Sequence, residues 1–119
     1  MTHSILQALL KEYFNRSTAY YYALHEDDKL KSGSSSDMVN SIASDMELQA
    51  DRVTEAFKSF SNGERMYPAF NIIMIRRIWA HGAYISANIY NKPSEWVEDT
   101  KKKLDNIDKQ IDTMIKVLK

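Results

Sequence analysis

Apolar residues recur along the chain at steps of three and four, the period of an α-helix, in four blocks separated by small or helix-breaking residues. In the first block Leu6, Leu9 or Leu10, Tyr13, Ser17, Tyr20 and Leu24 share a face, which predicts a helix over about 4–30. Lys31-Ser32-Gly33-Ser34-Ser35-Ser36 then reads as a short flexible turn. Ser34 and Asp37 have the spacing of a capping box, and Ser36 is a competing N-cap. A second helix is predicted over about 37–61, burying Val39, Ile42, Met46, Gln49, Val53, Ala56 or Phe57, and Phe60. Asn62-Gly63 ends it, because glycine takes the left-handed C′ conformation without a Cβ clash. Pro68 suits the first turn of a third helix over about 68–90, where its missing N–H is not needed. Pro93-Ser94 opens a fourth over about 94–118, with Ser94 as N-cap.

The last two blocks are opposites. In the fourth, Val97, Thr100, Leu104, Ile107, Ile111, Met114 and Leu118 alternate steps of three and four, a narrow a/d seam. Around it Glu98, Asp105 and Asp112 each stand four residues before a lysine (Lys102, Lys109, Lys116), pairs worth roughly 0.3–0.5 kcal/mol each on a wet face. In the third block apolar residues lie nearly all round: Phe70, Ile72, Ile73, Met74, Ile75, Ile78, Trp79 and Ile85. Such a helix is expected to be hidden on every side, in the middle of the fold or against a second subunit. Four helices and no strand pattern predict an all-α four-helix bundle, with residues 1–119 as one domain.

Composition narrows the class. Sixteen basic residues balance sixteen acidic ones, so any nucleic-acid or membrane attraction must be local. Cysteine is absent, which excludes disulfides, cysteine-based zinc sites and thiol catalysis. Met1-Thr2-His3-Ser4 lacks the charged start of a signal peptide, and a cytoplasmic location is expected. Arg76 and Arg77 in the middle of the most apolar stretch cost about 5–7 kcal/mol as part of a membrane span, so none is expected. No cofactor or metal is expected either. Glu-x-x-His and His-x3-His spacings do not occur, so ferritin-like and zinc sites lack their ligands.

Two arginines and a histidine within an apolar helix are the feature richest in chemistry. A buried guanidinium needs a carboxylate, a polar cleft or an exit to solvent. Arg77 and His81, four apart, share a face; Arg76 and His81 are about 140° apart around the helix. The run Ile75-Arg76-Arg77-Ile78-Trp79-Ala80-His81-Gly82-Ala83-Tyr84 resembles the Arg-x4–6-His motif of HEPN domains, small helical bundles that often dimerise. The resemblance covers about ten residues. It implies a metal-independent endoribonuclease, or an RNA- or nucleotide-binding domain, in which Arg76 steadies phosphate charge and His81 is the general acid or base. Arg77 and Tyr84 would be supporting residues, and a dimer would face two motifs across one composite cleft.

Other candidate binding residues lie on the first two helices. Tyr20, Tyr21 and Tyr22 point about 100° apart and cannot all be buried, so an aromatic surface is expected there. Glu47, Asp51 and Glu55 form an acidic ridge that suits a solvated face or a basic partner. The favoured expectation is an interaction or regulatory protein that forms a homodimer or higher homo-oligomer and binds another macromolecule. A protein partner comes before RNA. The HEPN-like ribonuclease is the alternative.

Overall fold

The structure, a computed structural model, describes the backbone of residues 1–30 and 33–119 and the side chains of 1–25 and 37–119. Among the described residues it is all-α, with four helices and no strand: α1 (His3–Leu30), α2 (Gly33–Lys58), α3 (Gly63–Ile89) and α4 (Ser94–Lys116). The class and the helix count are those the periodicity predicts. The chain forms two compact units, Met1–Phe57 and Lys58–Lys119, each built on one helix pair.

In the first unit Thr2 caps α1, its hydroxyl accepting the Ile5 N–H at 3.2 Å. Leu6, Leu10, Tyr13 and Ser17 are buried along α1, and Val39, Gln49, Val53, Ala56 and Phe57 along α2, close to the predicted sets. Ile42, Met46, Tyr20 and Leu24 are half-buried. Gln49 is sequestered with its amide satisfied: Nε2 donates to the Leu9 carbonyl at 3.1 Å and Oε1 accepts from Arg52 Nη1 at 3.2 Å. Arg16 Nη1 reaches the Asp45 carbonyl at 3.2 Å. Together, bonds 9-to-49 and 16-to-45 show that α1 and α2 run antiparallel.

The helix start of α2 corrects the sequence reading. The helix already runs from Gly33, so positions 34 and 36 lie within it, not at its N-cap; residues 31–32 of the expected turn lie outside the described residues. Serine is only mildly unfavourable within a helix, and three in a row do not stop one.

In the second unit α3 starts five residues before Pro68, at Gly63. Proline there forfeits one hydrogen bond to the Glu64 carbonyl, and the first two turns carry on around it. Gly63 is accordingly not a left-handed cap, and no described glycine has positive φ. The left-handed residue is Asn91, with φ of 52°. Its N–H bonds to the Asn88 carbonyl at 3.2 Å, and the Lys92 N–H to the Ala87 carbonyl at 2.9 Å. That pair of bonds is a Schellman ending, with asparagine in place of the usual glycine. The cap of α4 is Pro93 with no side-chain bond, one residue before the expected Ser94.

Helices α3 and α4 run antiparallel. Asn62 ties the start of α3 to the end of α4, donating from Nδ2 to the Val117 carbonyl at 2.8 Å and accepting the Lys119 N–H at 2.9 Å. Phe70, Met74 and Ile85 of α3 and Leu104, Ile111, Ile115 and Leu118 of α4 are buried. The buried arc of α4 is rotated from the predicted seam: Ile115 joins it, while Ile107 and Met114 stand half-buried at its margin. The surface ion pairs also differ. Asp99–Lys103 (3.2 Å) and Lys101–Asp105 (2.7 Å) form, while none of the three predicted pairs does. Exposed pairs differ by so little energy that neighbouring columns compete evenly.

The largest correction concerns α3. It is not sequestered on all sides. Ile72, Ile75, Arg76, Trp79, Ala83 and Tyr90 form one exposed stripe, with Trp79 at 75% exposure. Within this unit α4 covers the arc bearing Ile73, Arg77 and Ala80, and the stripe lies to the side of it.

Candidate functional site

The folded chain sorts the two arginines to different places. Arg77 is 8% exposed; its Nε donates to Asp108 Oδ1 on α4 at 3.0 Å, and its Nη1 contacts His81 Nδ1 at 3.0 Å. One helical turn between 77 and 81 aligns the two side chains, and the antiparallel pairing brings Asp108 to the same level. A guanidinium only donates, so in this contact Nδ1 accepts and the imidazole carries its hydrogen on Nε2. Burial lowers the His81 pKa from the ordinary histidine value; the Arg77 charge lowers it further, and Asp108 partly opposes both. The imidazole is therefore neutral at physiological pH, with its one lone pair already engaged.

Arg76 lies about 140° around the helix from His81 and is exposed. It lines a cleft of about 420 Å³ between α3 and α4, with Trp79, Ala80, Lys103, Ile107 and Gln110. A second cleft of about 360 Å³ continues from Gln110 to Ile73, Lys109 and Met114. No carboxylate lines either cleft. The motif arginine and the motif histidine thus do not share one cleft within a single chain. Tyr84, half-buried one turn beyond, completes the His81 side of the helix.

The aromatic residues of α1 divide as their 100° spacing requires. Tyr22 is exposed, while Tyr20 and Tyr21 are half-buried, with ring centroids 6.0 Å apart in an edge contact. Burial, and then the neighbouring Tyr20, raise the Tyr21 phenol above its ordinary pKa. Glu47, Asp51 and Glu55 are all exposed on α2, beside exposed Leu48. None of these carboxylates forms an ion pair among the described residues. No group of three or more acidic or histidine side chains there could hold a metal ion, and no helix is long and apolar enough to cross a membrane.

Sequence reasoning missed Asp108 and the clefts. Asp108 sits among four aspartates of α4 with nothing in its spacing to set it apart, and which one meets Arg77 depends on the helix register. Trp79 gave a usable signal: a tryptophan three residues after Arg76 on the same face of the helix. No protein-family model, curated protein or solved structure matches the chain.

Proposed function

We propose that this is a small helical interaction protein that self-associates and binds a further macromolecule, a protein ahead of RNA, through the open face of α3 and the clefts beside it. One observation carries the reading: Ile72, Ile75 and Trp79 stand together on one stripe, each about half exposed or more. Contiguous apolar surface of this kind, rimmed by polar groups, is the mark of a binding face. Tryptophan is among the residue types enriched at the energetic hot spots of interfaces. The test is sedimentation equilibrium from low to high micromolar concentration. Masses of two or more chains are expected at the upper end, with Ile72→Ser/Trp79→Ser monomeric and still helical. A monomeric wild type throughout would overturn the reading.

The HEPN-like ribonuclease is the alternative, resting on the closeness of a guanidinium to an imidazole. For His81 to act as a base at Nδ1, its contact with Arg77 must first break, and Arg76 must come from elsewhere than the same cleft. Cleavage of mixed single-stranded RNA that is lost in His81→Ala would move this reading ahead. Equal rates for the two proteins would remove it.

A further inference from the structure

We infer that the α3–α4 groove receives helix α2 of a second copy of this chain, with the Glu47–Asp51–Glu55 ridge against the groove's basic rim. The inference rests on the self-association proposed above and names its interface. Charge complementarity carries it. The rim of the groove holds Arg76, Lys103 and Lys109 and no carboxylate. Arg76 and Lys109 have no ion-pair partner among the described residues, and Lys103 has an exposed one, Asp99. Helix α2 is the reverse. Between Asp37 and Lys58 it has five carboxylates against two cations, a net charge of −3 in a chain whose total is zero.

The dimensions agree as well. At a rise of about 1.5 Å per residue, Glu47 to Glu55 spans about 12 Å and Lys103 to Lys109 about 9 Å. Exposed Leu48 flanks the acidic row and offers an apolar side chain to the groove wall of Trp79, Ile107 and Ile73. One chain bears both surfaces, so the ridge of one copy can meet the groove of another. Such a contact forms quickly and weakens with salt.

Complementary charge reversal tests this in the full-length chain. Arg76→Glu/Lys109→Glu makes the groove acidic, and Glu47→Lys/Asp51→Lys makes the ridge basic. All four positions are exposed, so both variants should fold, with helicity checked by circular dichroism. Each variant alone should show at least tenfold weaker self-association than wild type at low salt. An equimolar mixture of the two should restore it, because every groove again meets a ridge of opposite charge. Variants that self-associate as tightly as wild type would overturn the inference, and so would a mixture that stays monomeric. If Ile72→Ser/Trp79→Ser abolishes self-association while the charge reversals do nothing, this interface falls and the proposed function stands. If wild type is monomeric, both fall.

Discussion

The ion pair between α3 and α4 has unequal partners, and that inequality predicts which half is the costlier to remove. Arg77 has a side chain only 10% exposed, whereas the Asp108 side chain is 42% exposed. Removing Asp108 leaves a guanidinium that water reaches poorly. Removing Arg77 leaves a carboxylate that water solvates readily. A charge-assisted hydrogen bond is worth roughly 1.5–3 kcal/mol, and the half-open carboxylate reduces this to about 1–2 kcal/mol for Asp108→Ala. Alanine's better helix propensity returns up to about 0.7 kcal/mol, so Asp108→Asn is the matched control. Arg77→Met keeps the apolar stem and should cost less than about 1 kcal/mol. Urea unfolding followed by far-ultraviolet circular dichroism gives each value, and the double variant Arg77→Met/Asp108→Ala gives the coupling. The double variant should be little worse than Arg77→Met alone. If Arg77→Met proves clearly the more damaging, or if the two losses simply add, the account of a sheltered guanidinium held by Asp108 is wrong.

Two further outcomes follow from the same structure. Because the folded state lowers the His81 pKa, its contribution to stability is complete above the unfolded histidine value near 6.5 and is lost as pH falls toward the lower folded value; thermal melts between pH 7.5 and 5 should show a smaller acid loss in His81→Gln than in wild type, and equal losses would contradict the assignment. Phe57 and Phe70, each 1% exposed or less and in different units, should each cost about 3–5 kcal/mol as alanine variants, read from denaturation midpoints; a loss under about 1 kcal/mol at either would show that its core is not packed as described.

Local pattern was enough for most of the secondary structure. The Leu6–Leu10–Tyr13–Ser17 and Val39–Gln49–Val53–Phe57 faces were legible because burial along a helix repeats with its pitch, whatever it packs against. Boundaries were less legible where a stop signal was weak. Serine costs little within a helix, and the roughly 3 kcal/mol that an interior proline costs was outweighed by the rest of its helix, so α2 starts at Gly33 and α3 at Gly63.

The candidate site divides along the same line. That Arg77 and His81 share a face, and that Arg76 does not, follows from spacing alone, because a turn of helix is fixed by the backbone. That the guanidinium is held by Asp108, and not by Asp105 or Asp112, is a matter of how α4 is set against α3, a register that no local pattern encodes. The exposure of Ile72, Ile75 and Trp79 is of the same kind. A sequence states which residues would gain from leaving water, but only the packed chain decides which of them find a neighbour, since one helix covers only an arc of another. Sequence alone determined the four helices and the composition of their faces; tertiary structure decided which apolar face stayed open and which arginine met a carboxylate.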